Sequence, residues 1–157
     1  MDRLHKGLMI WGVLTCFLFA FAKTATAQHL FKEHYDECTT ERFALESEIE
    51  NAKIDEQKIV ALLLKDLDEK QLKRLKGKLT LQILVDTDGT SCLLSVENEI
   101  NIKSKVLNLK DKISSLIWIA PEKKVAAIVA IRFKKGKYEV KRLGMNADLG
   151  VHTLKED

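Results

Sequence analysis

The chain has 157 residues, with 26 lysines and arginines against 23 aspartates and glutamates. A net charge of +3 is too small to indicate a nucleic-acid partner. A single proline and seven glycines exclude a proline-rich linker, a collagen-like stalk and a low-complexity tail, so the length fits one domain.

The first residues predict a leader. Residues 7–22 carry no charged side chain, and Ala25-Thr26-Ala27 is the small-x-small pattern that signal peptidase cleaves. We therefore expect residues 1–27 to be a signal peptide, which makes the mature protein periplasmic or secreted. An uncleaved signal anchor is the alternative, although the apolar run is shorter than the roughly 20 residues of a membrane span. Lipidation of Cys16 is disfavoured because the residues before it make a poor lipobox.

Cleavage would leave two cysteines, Cys38 and Cys92. Two thiols in an oxidising compartment can form one disulfide. The alternative is two separate small side chains in the core, since free cysteine packs well there. The sequence leaves both interpretations open.

Residues 28–75 predict a helical lead-in. Apolar residues at three-to-four spacing favour a helix over 36–64, with a break near 51–55 where Asp55 can cap the next helix. Asp68 and Gln71 then form a capping-box pattern. We therefore expect a further short helix over about 69–75.

After Gly77 the apolar period changes from that of a helix to that of a strand. Residues 79–85 alternate, and Asp88-Gly89 is a strong hairpin signal because glycine accepts a positive φ. We expect the returning strand over 90–97.

The remaining elements alternate between helix and strand. Asn108 is expected to cap a helix over 109–117, and strands are expected over 125–133 and 138–143. We expect residues 146–157 to be a flexible tail.

The predicted fold class is α+β. N-terminal helices over 28–75 would precede a small antiparallel sheet with one packed helix, in the order β-β-α-β plus a fourth strand, over residues 76–145. Trp118 is expected in the core.

The stretch Gly77–Val85, followed by Asp88-Gly89, resembles the first hairpin of TonB C-terminal-like domains. Trp118, Pro121 and the strand over 125–133 are similar to the helix exit and the next strand of that family, and the likeness covers about 57–133. The family's best-known members are energy transducers whose domain captures a short receptor segment by adding it as a strand. This chain departs from them because it has no proline-rich spacer.

The resemblance implies an exported, non-catalytic module that binds a protein or peptide at the cell envelope, such as an outer-membrane receptor segment. The alternative is a signal-anchored accessory component of a TonB-type transport system. A strand edge over 125–133 would receive the segment, unless residues 138–143 already pair there. The residues of that candidate edge are Val125, Ala127, Val129, Ile131 and Phe133.

Signals for catalysis and metal binding are weak, so we expect no enzyme, cofactor, metal or small-molecule substrate. His29, His34 and Cys38 have ligand-like spacing without a fourth ligand. The sequence from Asp86 resembles the start of a calcium loop, but Ser91 stands where the loop needs glycine, which favours a hairpin turn. A small periplasmic enzyme and a structural role through strand self-pairing are the other classes.

Basic residues are concentrated around the last predicted turn. They would form a charged edge that opposes aggregation, or a contact for anionic lipid or an acidic protein. These residues are Arg132, Lys134, Lys135, Lys137, Lys141 and Arg142.

Overall fold

The computed structural model describes residues 29–155, so the predicted signal peptide over 1–27 lies outside the described residues. Within the described part, no helix has both the length and the hydropathy needed to cross a membrane.

Most of the regular structure in this part of the chain is strand. In chain order, its elements are β1 (Glu33–His34), β2 (Ala44–Leu45), α1 (Glu56–Leu64), α2 (Glu69–Arg74), β3 (Gly77–Val85), β4 (Ser91–Asn98), α3 (Ser104–Leu107), α4 (Leu109–Ser114), β5 (Val125–Lys134), β6 (Lys137–Asn146) and β7 (Gly150–Thr153).

The strands form one sheet in the order β1-β4-β3-β5-β6-β7, and these neighbours are all antiparallel. The short β2 adds a parallel pairing to the first residues of β5, opposite Val125 and Ala126. The outer side of β5 is therefore shared between β2 at its start and β6 over the rest of its length.

One face of the sheet and the helices enclose the main hydrophobic core. Alternate residues of β3, Leu79, Leu81 and Ile83, belong to this core together with Ile59 of α1 and Ile113 of α4. The opposite face, which we call the second face, carries the intervening residues, and its central part is also buried. Its members on β3 and β5 include Thr80, Gln82, Leu84, Ala126 and Ile128.

The predicted fold class is wrong, because the molecule is a seven-stranded sheet with short helices rather than N-terminal helices before a small sheet. The predicted helix over 36–64 exists only from Glu56 onward. The chain before it supplies β1 and β2, whose backbone groups pair with β4 and β5. Tertiary pairing thus outweighs the short apolar periodicity.

The predicted flexible tail is also corrected within the described residues. Residues 150–153 form β7 against β6, and Leu154 is buried. The amide of Leu154 donates to the carbonyl of Arg142 at 3.0 Å, which holds this segment on the sheet.

Three local signals of the sequence are confirmed: the two helix caps before α1 and α2, and the glycine turn between β3 and β4. Asp68 and Gln71 form the complete capping box of α2, and the Asp55 side chain accepts from the amide of Gln57 at the start of α1. Gly89 has a φ of +82° in the β3–β4 turn. A Cβ at this glycine would lie 2.5 Å from the carbonyl oxygen of Trp118, so both the turn and the contact require glycine.

Candidate segment-binding site

The predicted binding strand is not a free edge. β5 pairs with β3 from Val125 to Phe133, and its other side is taken by β2 and then β6. The side chains of Val125, Ala127, Val129, Ile131 and Phe133 lie in the core at 0–5% exposure. Because every stretch of β5 already has two neighbours, it cannot accept a further strand.

One strand further out, the first part of β6 has no outer neighbour among residues 29–155. The carbonyl of Arg142 points away from β5, because it accepts from Leu154 on the outer side. Residues two apart on a strand direct their backbone groups to the same side. The N–H and C=O groups of Tyr138 and Val140 therefore also point outward, and β7 pairs with β6 only from Leu143 onward.

An apolar groove adjoins this edge. Tyr138 lies opposite Phe133, and Val140 lies opposite Ile131, so both side chains are on the helix side of the sheet. A cavity of about 200 Å³ opens between these strands and the helices. Its lining is Leu64, Leu72, Leu75, Phe133, Gly136, Lys137 and Tyr138.

The other side of the same edge is charged. Lys137, Glu139 and Lys141 alternate along the strand with Tyr138 and Val140, so their side chains point to the second face, and Lys137 also borders the groove at the start of the strand. Lys141 pairs with Glu139 at 3.1 Å, and no carboxylate among residues 29–155 forms an ion pair with Lys134, Lys135 or Lys137. The edge therefore has an excess of positive charge on this side.

Cys38 and Cys92 form a disulfide, with their Cα atoms 5.7 Å apart. It joins the segment after β1 to the start of β4. Cys38 therefore holds no metal, and no group of three or more metal-ligating side chains exists in the described part of the chain. His29 and His34 instead lie 3.6 Å and 4.0 Å from the carboxylate of Asp36.

The two aspartates of the calcium-loop pattern already have partners in the hairpin turn and at Lys124. Asp86 pairs with Lys124 at 2.6 Å, and this contact, together with the Thr87 amide, holds the pKa of Asp86 below its ordinary value. Hydrogen bonds from the hydroxyl and the amide of Thr90 likewise lower the pKa of Asp88.

Arg142 does not belong to the exposed basic turn. Its guanidinium is buried, pairs with Glu46 and Glu50, donates to the carbonyl of Ala52 at 3.0 Å and lies over the ring of Trp118. This network holds residues 46–52 across β6, and it leaves Arg132 and the lysines as the accessible positive charges.

Sequence reasoning missed the site on β6. The pattern of two apolar residues, Tyr138 and Val140, among charged neighbours is visible in the sequence, but it does not show which side of the strand is unpaired. Leu64 and Leu72 reach the groove only because α1 and α2 pack beside the β5–β6 turn. No known protein family, no curated protein and no solved structure matches this chain.

Proposed function

We propose that the protein is an exported, non-catalytic binding module that captures an extended segment of a cell-envelope protein. The segment would add as a strand to the outer edge of β6, beside Tyr138 and Val140. The observation that carries the proposal is that backbone groups of β6 without a partner in the described part of the chain lie beside an apolar groove at the same edge.

Strand addition supplies affinity through the backbone, and pockets for alternate side chains supply specificity. The groove of about 200 Å³ is larger than an apolar cavity of about 150 Å³ that holds benzene, so it can receive an aromatic or leucine side chain. A bound residue opposite Tyr138 would place its side chain in this groove, because directly opposed residues share a face of the sheet.

The charges favour acidic residues at the alternate positions of the segment. Those side chains would point to the second face, where Lys137 lies at the edge and Lys134 and Lys135 lie in the adjoining turn. Opposite charges on facing strands stabilise pairing, whereas like charges oppose it. The preferred ligand is therefore a strand that alternates acidic and large apolar residues.

The disulfide supports an extracytoplasmic location. Disulfides persist in secreted and periplasmic proteins and are rare in the reducing cytoplasm. The Cys38–Cys92 bond is therefore consistent with the leader predicted over residues 1–27.

A direct test is titration of the isotope-labelled protein with a synthetic peptide that alternates glutamate with valine and phenylalanine. We expect saturable NMR shifts centred on the amides of Tyr138 and Val140. Val140→Pro removes an outward N–H, so it should weaken binding by at least about fivefold, the cost of one net hydrogen bond.

The matched control is Val140→Ala, which trims the side chain but keeps the N–H. It should bind the peptide more tightly than Val140→Pro. A peptide with lysine in place of each glutamate should bind more weakly than the acidic one. Shifts spread over the molecule, or equal binding by the alanine and proline variants, would contradict strand addition at β6.

A further inference from the structure

A second acceptor for an extended chain lies at the opposite edge of the sheet, where residues 29–38 cover β4. We call these residues the strap. Its β1 residues Glu33 and His34 pair with Val96 and Ser95, and the amide of Tyr35 donates to the carbonyl of Leu94 at 3.0 Å. The strap thus occupies the edge of β4 as an added strand would.

The strap also crosses onto the second face, where its backbone is held by polar side chains. The amide of Leu30 donates to Gln82 Oε1 at 2.9 Å, and the amide of Phe31 donates to Ser95 Oγ at 3.2 Å. These contacts recognise a main chain rather than particular side chains, so a different extended segment could make them.

The surface of the sheet under the strap offers more hydrogen-bonding groups than the strap uses. Thr80, Gln82 and Ser95 form a polar row in the buried, otherwise apolar part of this face, and each is at most 3% exposed. Within residues 29–155, Gln82 Nε2 and Thr80 Oγ1 have no hydrogen-bond partner, although the oxygen of the same Gln82 amide holds the strap. Buried donors without partners are costly, so an extended segment with carbonyls opposite these two groups would satisfy the row better than the strap.

We propose that the edge of β4 and the polar row form a second binding site for an extended protein segment, which the strap closes and the Cys38–Cys92 disulfide locks. β1 pairs through only two residues, fewer than in most strands, so the covalent bond is a large part of what holds the strap in place. The site is independent of the proposed site on β6, which lies at the other edge of the sheet.

The Cys38–Cys92 disulfide is accessible to solvent. Cys38 and Cys92 are half-buried and line an open cavity of about 200 Å³, together with Lys124. A thiolate of an external dithiol would attack one sulfur and break the S–S bond, leaving the other cysteine as a thiolate that takes up a proton. The second thiol of the dithiol then displaces the first cysteine as a thiol, so the disulfide of the protein is reduced as the dithiol is oxidised.

Hydrogen exchange tests whether the disulfide holds the strap on the edge of β4. The purified protein is compared in its oxidised form, after reduction by dithiothreitol, and as the Cys38→Ser/Cys92→Ser variant. We expect the amide of Tyr35 to exchange about tenfold faster or more without the disulfide, while the amides of β3 and β5 keep their protection. An unchanged Tyr35 amide, or equal acceleration across the whole sheet, would overturn the proposal.

A peptide tests the site itself. A labelled peptide with the sequence of residues 29–37 is titrated into the Cys38→Ser/Cys92→Ser/Tyr35→Pro variant, whose own strap lacks both the disulfide and the Tyr35 donor. We expect saturable binding by this variant, and none by the oxidised natural protein, because a tethered strap outcompetes a free peptide.

Two controls separate the outcomes. A scrambled peptide should not bind, and adding Val140→Pro to the opened variant should leave strap-peptide binding unchanged, which separates this site from the one on β6. If the sheet of the opened variant keeps its exchange protection and the peptide binds no better than its scrambled form, the second site does not exist. Equal binding to the oxidised protein would show that the disulfide does not close it.

Discussion

A buried arginine joins parts of the chain that the sequence keeps far apart. Arg142 Nη2 pairs with Glu46, whose other carboxylate oxygen accepts from the amides of Asn51 and Ala52 at 2.7 Å and 2.9 Å. Both charged side chains are almost fully buried, so each is the main compensation for the other. The pair fixes residues 46–52 over β6.

We expect Arg142→Met to lower the free energy of unfolding by about 3–5 kcal/mol, because it leaves the Glu46 carboxylate buried without its counter-charge. Urea denaturation measures the loss. The double variant Glu46→Gln/Arg142→Met should lose less than the sum of the two single variants, since the second change removes the stranded charge. Additive losses would show that the two side chains are not coupled.

Gly144 shows why this network could not be read from the sequence. Residues 46 and 47 cross β6 directly over Gly144, and a Cβ there would lie 2.9 Å from the carbonyl oxygen of Ser47. The absence of a side chain therefore permits the crossing. In the sequence, Arg142 is one more cation beside Lys141, and only the crossing segment distinguishes it from the exposed lysines.

At the level of elements, the sequence predicts most of the local features correctly but does not predict the contacts between distant segments. The capping box of α2 and the Asp88-Gly89 turn depend on residues within a few positions, which a sequence pattern contains in full. Residues 36–55 have the apolar spacing of a helix, yet their conformation is set by partners more than fifty residues away. Ala44 pairs with Val125, and Cys38 is bonded to Cys92.

At Asn108, the sequence predicts the right position for a helix boundary but the wrong interaction. The sequence predicts a side-chain cap, but Asn108 makes no capping hydrogen bond through its side chain and instead has a φ of +48° between α3 and α4. Its role is to supply a left-handed residue at the joint, a conformation that asparagine tolerates better than most L-residues do.

We expect Asn108→Ala to lower the free energy of unfolding by about 1 kcal/mol, because alanine adopts the left-handed region less readily. Asn108→Gly should be the best tolerated and Asn108→Val the least. Thermal and urea denaturation rank the three variants, and Lys105→Ala on the neighbouring exposed surface is the control. If glycine and alanine cost the same, the backbone conformation is not what selects asparagine here.

On the scale of the whole molecule, the sequence predicts strands but not their neighbours. The alternation in 79–85 and 125–133 identifies β3 and β5, but strand order depends on pairing between distant segments. The assignment of β5 as a binding edge failed because β2 and β6 divide its outer side between them. The sequence shows the alternation of charged and apolar residues in β6, but it does not show that the outer edge of this strand lacks a partner among the described residues.

Salt bridges between elements also make the stability of the whole molecule depend on pH. Lys112 is buried, donates to the carbonyl of Leu63 at 2.9 Å and pairs with Asp66 at the same distance, which ties α4 to the end of α1. The hydrogen bond from Lys112 lowers the pKa of Asp66, and that from Lys124 lowers the pKa of Asp86. Both carboxylates therefore prefer the charged form in the folded protein.

A lowered pKa means that the unfolded chain binds protons more readily than the folded one. The stabilisation is complete above the ordinary aspartate pKa of 3.8 and is lost as the pH falls below it toward the lowered values. We therefore expect the free energy of unfolding, measured in urea, to fall as the pH drops below about 4, toward the lowered pKa values of the two carboxylates. Asp86→Asn should reduce stability at neutral pH and flatten this fall, because the amide does not titrate.

Asp148→Asn, made in the exposed β6–β7 turn, is the control that reports the effect of losing one negative charge. If both variants keep the acid slope of the natural protein, the pair between Asp86 and Lys124 does not contribute to it.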